Sequence, residues 1–299
     1  MRLALIGASG FVGKVILAEA IRRNWDVVSI GRQSCDLYNV RQLNRYLRYA
    51  SPDVLINAAG YTGKPNVDAC EANKPACLAG NAVLPGVIAE VCDHLDLPWG
   101  HISSGCIYSG RPAARESFCE TDLPNFCFRS GHCSFYSGTK VLGEEVLSNA
   151  KNCYIWRLRI PFSNVDSGKN YLSKLMNYDR LLEATNSLSD INEFAAAALD
   201  CFERSVSFGT YHLTNPGSVK TSDVVGMILD AGLVRRDFKY FETERQFMQL
   251  AAKTPRSNCV LSSQKALDAG LQLSPVRDAI QRALSAWVPI AGAAARMAA

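Results

Sequence analysis

Residues 3–13 read LALIGASGFVG, and this short stretch decides the fold. Its first four residues are apolar and end at Gly7, which is typical of a parallel strand covered on both faces. From Phe11 to Arg23 apolar residues recur at helical spacing, so a helix is expected directly after the glycines. Glycines at such a junction let the backbone approach a pyrophosphate at the helix N-terminus. The alternative is an ordinary turn that needs glycine for a positive φ angle.

The glycines at 7, 10 and 13 follow the spacing GxxGxxG rather than GxGxxG. Their place between a predicted strand and a predicted helix nevertheless favours a dinucleotide site. The cofactor contacts predicted in this turn are Gly7, Ser9, Gly10, Phe11, Val12 and Gly13.

Strand and helix patterns alternate over about the first 160 residues. This alternation predicts an α/β fold with a Rossmann-type, doubly wound parallel sheet. The predicted strands lie at 27–30, 54–56, 100–103 and 154–158, and the predicted helices at 40–49 and 83–95.

The texture of the sequence changes after Pro161, where polar, turn-rich stretches separate helical patterns at 191–202 and 222–231. We expect a smaller, mostly helical domain there, packed on the edge of the sheet. The predicted divisions are a dinucleotide-binding domain at 1–160 with a returning strand within 208–215, a substrate-binding domain at 161–290, and a tail at 291–299.

The composition is that of a globular protein, with 299 residues, 48% hydrophobic and 20% charged. A net charge of +4 without a long basic run argues against nucleic acid binding. No apolar run reaches the roughly 18 residues that span a bilayer, so we expect no membrane association. Eleven cysteines lack CxxC or zinc-site spacing. We therefore expect no metal site and interpret them mostly as small buried side chains in a reducing cytoplasm.

The residues after the second predicted strand bear on the choice of cofactor. A site that prefers NAD usually has an acidic residue here, which binds the ribose 2′-hydroxyl. The chain instead has Gly31-Arg32-Gln33, and Arg32 is either a partner for the 2′-phosphate of NADPH or a solvated surface side chain. Asp36, with Leu37 after it, either lies near the adenine or caps the next helix. We predict NADPH, with NADH as the alternative.

Tyr136 and Lys140 are spaced to share one face of a helix. A nearby ammonium stabilises a phenolate and so lowers the pKa of the phenol, which suits a tyrosine that gives a proton to a carbonyl oxygen. A serine after the strand at 100–103 would hydrogen-bond the same oxygen. Ser104 is the first choice for that role, and Ser103 is the second.

Together these residues resemble the extended short-chain dehydrogenase/reductases. The likeness is more specific to the nucleotide-rhamnose synthase/epimerase-reductase enzymes and to relatives of dTDP-4-dehydrorhamnose reductase, and it extends from residue 1 to about residue 285. The segments that carry it are NAAGYTGKPNVDACE (57–71), SGCIY (104–108), PNF (124–126), FYSGTK (135–140), RLRIP (157–161), LTNPG (213–217) and PRSN (255–258).

The resemblance implies reduction, with NADPH or NADH, of a 4-keto-6-deoxyhexose linked to dTDP or UDP. It adds Ala58, Ala59 and Gly60 to the expected cofactor contacts. Bifunctional relatives also epimerise C3 and C5, which requires an acid and a base on opposite faces of the sugar. A cysteine and a lysine have these roles, and the matching residues are Cys106 and Lys174, with Lys169 as second choice. The alternative for Cys106 is a buried side chain that only fills space, and the alternative for Lys174 is a solvated lysine.

Several further residues are candidates for substrate contact or support. Tyr61, Lys64 and Asn66 either touch sugar or pyrophosphate or form a solvated turn. Arg256 either binds a substrate phosphate or forms a surface ion pair. Asn81 is expected to brace the active-site helix through backbone bonds.

The sequence also departs from its relatives in two places. Gly138 replaces a bulkier residue, and the stretch 111–122, expected as a loop near the sugar, differs in length and composition. The leading hypothesis is a bifunctional 3,5-epimerase/4-reductase that forms an L-rhamnose-type sugar. The alternatives are a 4-keto reductase without epimerase activity and a non-catalytic nucleotide-binding subunit. A homodimer is expected from the superfamily.

Overall fold

The computed structural model describes residues 1–64 and 66–290, so the predicted tail at 291–299 lies outside the described residues. Within these ranges the strands are β1 (Arg2–Ile6), β2 (Asp26–Ile30), β3 (Val54–Asn57), β4 (Trp99–Ser104), β5 (Cys153–Leu158), β6 (Pro161–Phe162), β7 (Arg180–Leu181), β8 (Thr185–Asn186), β9 (Ser189–Asp190), β10 (Gly209–His212), β11 (Val219–Lys220) and β12 (Lys239–Tyr240).

The helices alternate with the long strands in the first half of the chain and predominate in the second half. They are α1 (Phe11–Arg22), α2 (Val40–Ala50), α3 (Ala69–Ala72), α4 (Lys74–Leu78), α5 (Leu84–Leu95), α6 (Phe135–Val146), α7 (Tyr171–Asn177), α8 (Ile191–Glu203), α9 (Thr221–Asp230), α10 (Glu244–Leu250), α11 (Gln264–Asp268) and α12 (Val276–Ser285).

The main sheet has the strand order β10-β5-β4-β3-β1-β2 in the described part of the chain. Every neighbouring pair in it is parallel. The direction of winding reverses between β1 and β3, and ligands of open α/β sheets bind in the crevice beyond the strand ends at such a point. The prediction of a Rossmann-type, doubly wound parallel sheet is confirmed.

Two cores cover the two faces of this sheet. On one face Ile16 of α1 and Phe194 of α8 pack with Leu3 and Trp156. On the other face side chains of α2 and α5, among them Leu43 and Ile88, pack with residues of the same strands. The strands therefore bury both faces, which explains why they are continuous apolar runs rather than alternating patterns.

The second half of the chain does not form one separate block. A third core unites α7, α9 and α12 with the short strands around them, and includes Leu172, Val224 and Ile280. In contrast, α8 packs beside α1 in the first core, and β10 pairs with β5. The segment 191–212 thus belongs with the main sheet, because α8 covers it beside α1 and β10 extends it by pairing with β5.

One helical stretch, Lys74–Leu95, is long and apolar enough to span a membrane by length and composition. It comprises α4, a π-helical turn at Ala79–Val83, and α5. Half of its most apolar window is buried inside the fold, where Ile88 and Val91 pack against the sheet. Its place as a core helix accounts for its apolar character.

The contact between β4 and β5 leaves no room for a side chain at Gly100. A Cβ there would lie 2.1 Å from a ring carbon of the fully buried Trp156. We expect Gly100→Ala to lower the free energy of unfolding by about 1–3 kcal/mol, because the ring must move within a packed core. Urea denaturation measures this change.

Gly226 in α9 provides the matched control, since nothing lies within 4 Å of a Cβ built there. Gly226→Ala should leave stability unchanged or raise it by up to about 1 kcal/mol, through helix propensity alone. Wild-type stability in Gly100→Ala would contradict the described packing of Trp156.

Candidate active site

The turn between β1 and α1 is tight against the end of β3. Gly7 has φ +86°, and a Cβ on it would lie 2.6 Å from the backbone nitrogen of Ala59. A Cβ on Gly13 would lie 2.1 Å from the Gly7 carbonyl oxygen. Gly7 therefore needs its positive φ angle, as the plain-turn alternative requires. The same turn leaves Ser9 and Gly10 exposed before the N-terminus of α1, which suits an approaching phosphate.

The segment after β2 is open on its outer side. Nothing lies within 4 Å of a Cβ built on Gly31, and Arg32 is exposed beside it. Asp36 is also exposed and accepts a hydrogen bond from the backbone N–H of Tyr38 at 3.0 Å. These residues fit the adenosine half of a dinucleotide, with room for it and a free guanidinium.

One expectation for this segment needs correction. Asp36 does not cap α2, because the side chain of Asn39 accepts the hydrogen bond from the N–H of Gln42. The chain turns once more, at residues 37 and 38, before the helix begins. The side chain of Leu37 packs in the core beside Leu43, and a cofactor contact at Leu37 stays a prediction.

Helix α6 carries Tyr136 and Lys140 one turn apart on a buried face. Ser134 caps the helix by accepting a hydrogen bond from the N–H of Ser137 at 3.1 Å. Tyr136 is 8% exposed and Lys140 is 4% exposed. The Lys140 ammonium donates to the carbonyl oxygen of Ile102 in β4 at 3.1 Å. The helix start thus sets both side chains against the carboxyl end of β4.

Burial dominates the protonation of this pair. It lowers the pKa of Lys140 to about 8, while the charge of Glu144 acts in the opposite direction. Burial raises the pKa of Tyr136, and a hydrogen bond with Ser104 partly offsets the rise. The net shift of the Tyr136 pKa is therefore upward, opposite to the direction expected from the Lys140 charge alone. A raised pKa keeps the phenol protonated at neutral pH and so able to donate.

The two serines at the end of β4 have different partners on α6. The hydroxyl of Ser104 faces Tyr136 and accepts a hydrogen bond from the N–H of Cys106 at 3.1 Å. The hydroxyl of Ser103 bonds instead to the carboxylate of Glu144, one turn after Lys140 in α6. The structure therefore brings Ser104, and not Ser103, together with Tyr136 and Lys140.

Asn81 lies in the π-helical turn and joins three elements. Its amide oxygen accepts from the N–H of Tyr61 at 2.8 Å, and its amide nitrogen donates to the Tyr61 carbonyl at 2.9 Å and to the Thr139 hydroxyl at 3.1 Å. Asn81 thus braces the loop after β3 through backbone bonds, as expected in kind, but it reaches α6 through the side chain of Thr139. Ala58, Ala59 and Gly60 are held between these anchors.

Cys106 and Lys174 face the same group of side chains. Cys106 is half-buried, packs beside Tyr136, and lies close enough to Tyr136, Lys140 and Lys174 to influence the charge of each. Lys174 lies in α7, which Asn170 caps. Burial, together with the charges of Lys169 and Arg256, lowers the pKa of Lys174. The thiol thus packs beside the tyrosine, and the amine lies near enough to the thiol for their charges to interact.

The same cleft is lined by two further lysines, Lys64 and Lys169, and by the loop after β3. Lys169 donates to the hydroxyl of Thr62 at 2.6 Å, and burial followed by the charge of Lys64 lowers its pKa. Lys64 is exposed. Asn66 accepts from the N–H of Asp68 at 2.9 Å within a local turn. Several cations thus gather here, which favours an anionic substrate.

Arg256 does not present a free guanidinium. It makes a two-pronged ion pair with Asp68, at 2.7 Å and 2.8 Å. The structure shows the ion-pair alternative for Arg256, and a contact with a substrate phosphate stays a prediction. The two residues are 188 positions apart in the chain, so the sequence contains no local signal for the pair.

Two residues of the stretch 111–122 are anchored to the fold. Phe118 stacks on Tyr108 with ring centroids 4.4 Å apart, and Glu120 accepts from the N–H of His212 at 2.8 Å. The expectation of a loop near the sugar stays a prediction.

Two arginines that the sequence analysis did not assign to the site are central to it. Arg157 and Arg159 follow each other with one residue between them, so both point to one side at the end of β5. Arg157 binds Glu144 through two nitrogens. Arg159 reaches Cys106, with its Nη1 3.4 Å from the sulfur. Charged residues within an apolar strand pattern are the signal that would have found them.

Comparison with known proteins identifies the family. The family model described as RmlD substrate binding domain matches residues 1–288. The chain belongs to this family. The resemblance inferred from the sequence is thereby confirmed.

Named relatives agree with that assignment. The chain is 31% identical over 261 residues to an Arabidopsis thaliana bifunctional dTDP-4-dehydrorhamnose 3,5-epimerase/dTDP-4-dehydrorhamnose reductase, covering 86% of this chain and 82% of the relative. It is 27% identical to a dTDP-4-dehydrorhamnose reductase of Mycolicibacterium smegmatis, covering 96% and 86%. It is also 31% identical to a trifunctional Arabidopsis thaliana UDP-rhamnose-forming enzyme, but spans only 35% of that protein.

The fold has close structural counterparts. The UDP-rhamnose synthase of Acanthamoeba polyphaga mimivirus superposes with a TM-score of 0.87 at 21% identity, covering 96% of this chain and 99% of the other. At this level of identity the superposition supports the fold of the chain in both halves.

The buried ammonium of Lys140 costs stability at neutral pH. We expect Lys140→Met to raise the free energy of unfolding at pH 7 by about 1–3 kcal/mol, after allowance for one lost hydrogen bond. Folded Lys140 loses its proton near pH 8 and an unfolded lysine near 10.5. The unfolded wild-type chain binds more protons in that window, so wild-type stability rises with pH there and the gap to the variant narrows.

Urea denaturation of both proteins at pH 7 and pH 9.5 measures the gap. Lys239→Met, at an exposed lysine of β12, is the control and should show little change at either pH. A gap that does not depend on pH would contradict the buried ammonium.

Proposed function

We propose that the protein reduces the 4-keto group of a dTDP- or UDP-linked 4-keto-6-deoxyhexose with NADPH and, in the same site, epimerises C3 and C5 beforehand. The observation that carries the proposal is the convergence of two chemical sets. Ser104, Tyr136 and Lys140 suit the handling of a carbonyl oxygen, and Cys106 and Lys174 suit proton exchange beside it. The product is an L-rhamnose-type nucleotide sugar, as the names of the relatives suggest.

The choice of NADPH rests on the segment after β2. Arg32 is exposed beside open space, and no acidic residue occupies the position that would bind a ribose 2′-hydroxyl. Among structures with the same fold, a Bacillus anthracis dTDP-4-dehydrorhamnose reductase was solved with NADP, and a Pseudomonas aeruginosa protein with NADPH. NADH is the alternative, because two nucleotide-sugar 4-epimerases of this fold were solved with NAD.

The residues that would hold the cofactor fit it in sequence and shape. The turn at residues 7–13 would hold the pyrophosphate, and Ala58–Gly60, Tyr136 and Lys140 would lie along the nicotinamide half of the cofactor. NADPH, when bound, supplies hydride to C4.

The protein's own residues then account for the proton chemistry. Tyr136 donates its proton to the 4-keto oxygen, since its raised pKa keeps the phenol protonated. Ser104 hydrogen-bonds the same oxygen, and the charge of Lys140 stabilises the phenolate that remains. Before reduction, the same donors stabilise the enolate oxygen while Cys106 and Lys174 exchange protons with C3 and C5.

Epimerase activity is tested by product analysis in D2O. The wild-type protein with NADPH and a dTDP- or UDP-4-keto-6-deoxyglucose, without a separate epimerase, should yield an L-rhamnosyl product with deuterium at C3 and C5 by NMR. Cys106→Ser and Lys174→Met should lower deuterium incorporation by about 10²–10⁴-fold, the usual contribution of an acid or base. Both should still reduce a sugar that has already been epimerised.

Lys169→Met is the matched control for Lys174→Met, since both lysines are half-buried in the same cleft. Loss of deuterium incorporation in Lys169→Met, but not in Lys174→Met, would transfer the role to Lys169. Turnover of wild type only after an epimerase is added would leave the monofunctional reductase. Absence of NADPH oxidation under both conditions would favour the non-catalytic alternative.

The adjacent serines allow a second test of the reductase half. Ser104→Ala should lower kcat by about 10–10³-fold, because it removes a donor to the reacting oxygen, and loss of the cap on the Cys106 N–H should cost about 0.5–2 kcal/mol of stability. Ser103→Ala should retain most of the activity and lose about 1–3 kcal/mol of stability, because it leaves Glu144 short of a buried hydrogen bond. Steady-state kinetics and urea denaturation of the two variants separate these outcomes. The opposite pattern would assign catalysis to Ser103.

The cellular setting and the assembly of the protein stay predictions. All eleven cysteines are free thiols, and a reducing cytoplasm suits such a chain. A homodimer is expected from the resemblance alone.

A further inference from the structure

Arg159 is a fully buried arginine, with 0% exposure, directly behind Cys106. Its Nη1 lies 3.4 Å from the Cys106 sulfur and donates to the hydroxyl of Ser257 at 3.0 Å. Its Nη2 donates to the side-chain oxygen of Asn186 at 2.5 Å and to the carbonyl of Ser257 at 2.6 Å. Within the described residues its Nε, also buried, has no partner.

All of these partners are neutral. In residues 1–64 and 66–290 no carboxylate forms an ion pair with Arg159, whereas Arg157, two positions earlier, has Glu144 as a close counter-ion at 2.6 Å. A buried charge without a counter-ion is costly, because it has lost its hydration and gained no opposite charge. Burying the Arg159 charge therefore costs folding free energy, and packing alone gives no reason to have a charged side chain at this position.

The position of Cys106 indicates what that reason is. Cys106 is half-buried, and its sulfur lies between the hidden guanidinium and the side chains of the cleft. Arg159 itself is closed off from a substrate. A positive charge beside a cysteine sulfur in general favours a thiolate over a thiol, and Arg159 meets the side chains of the cleft through this sulfur.

We propose that Arg159 is a positioning residue that holds the Cys106 sulfur at the cleft and stabilises its thiolate, which makes Cys106 the base of the proton exchange. This inference rests on the proposed epimerase function. The thiolate takes a proton from C3 or C5, and the C–H electron pair forms the enolate, with the negative charge on the 4-oxygen. Lys174 as an ammonium returns a proton to the opposite face, and solvent then restores the thiolate and the ammonium.

The PRSN segment (255–258) contacts Arg159 through Ser257. Ser257 supplies two acceptors to the guanidinium, and Asn186, which supplies the third, is itself bonded to Asn258 at 3.2 Å and to the N–H of Cys259 at 3.0 Å. This segment thus fixes the plane of the guanidinium. An arginine suits such a site better than a lysine, since its donors form a rigid fork.

Arg159→Gln and Arg159→Lys test the proposal with two readouts. In Arg159→Gln, deuterium incorporation at C3 and C5 should fall by about 10–100-fold, because the charge beside the sulfur is lost. Reduction of an already epimerised sugar should fall much less. Arg159→Lys keeps a charge without the fork and should lie between wild type and Arg159→Gln. A merely structural role would lower both activities together, without rescue by lysine.

A measurement on the wild-type protein covers the case in which Arg159→Gln fails to fold. The ultraviolet difference spectrum of wild type minus Cys106→Ser at pH 7 should contain a thiolate band. Its absence, or undiminished deuterium incorporation in folded Arg159→Gln, overturns the inference. Absence of deuterium incorporation in wild type itself overturns the proposed epimerase function instead, so the two failures are distinguishable.

Discussion

The ion pair between Arg157 and Glu144 is the interaction on which the rest of the site depends. It joins the end of β5 to the C-terminal half of α6, and both side chains are nearly buried. Ser103 adds a hydrogen bond from β4, and Tyr108 and His212 contact the same guanidinium at 3.0 Å and 3.1 Å. Separating the two side chains would leave a buried charge uncompensated, which is costly. The pair therefore holds β5 and α6 in a fixed relation.

This anchor determines which way α6 faces. Glu144 lies one turn after Lys140 and two turns after Tyr136. Once Glu144 is tied to β4 and β5, rotation of the helix about its axis is blocked. The serine that holds Glu144 leaves its neighbour, Ser104, to face the tyrosine. The geometry of the reducing centre therefore follows from a bond made one turn further along α6.

The two arginines at the end of β5 show how similar residues acquire different roles. Arg157 has a carboxylate and stabilises the scaffold, whereas Arg159 has only neutral partners and a thiol. Both side chains are fixed by packing. Arg157 therefore keeps its carboxylate partner, and Arg159 keeps only neutral partners among the described residues. The fold thus places a neutralised cation behind the reductase groups and an uncompensated one behind Cys106.

Patterns local in the sequence were enough for the fold and part of the site. The glycines at 7–13, the alternation of strands and helices, and the Tyr136–Lys140 spacing each depend on a few neighbouring residues, so a reading of the chain finds them. Contacts between distant segments were not accessible in this way. Arg256 meets Asp68 and Arg159 meets Cys106 only after the two halves of the chain have packed.

Burial was equally hidden from the sequence. The spacing of Tyr136 and Lys140 suggested a phenol with a lowered pKa, yet desolvation raises it, because the helix face they share is covered by β4 and the loop after β3. A sequence shows which groups are neighbours on a helix but not how much water surrounds them. For ionisable groups the second quantity decides the sign of the shift.

The departure at Gly138 has a physical explanation in the packing above α6. A Cβ at this position would lie 2.3 Å from the ring of Phe128, and that ring packs against Phe135 with centroids 5.3 Å apart. A glycine inside a helix costs about 0.5–1 kcal/mol relative to alanine, and an aromatic pair contributes a similar amount. The exchange is therefore near neutral in stability. Its consequence is spatial, since Phe128 lies directly over the helix that carries Tyr136 and Lys140.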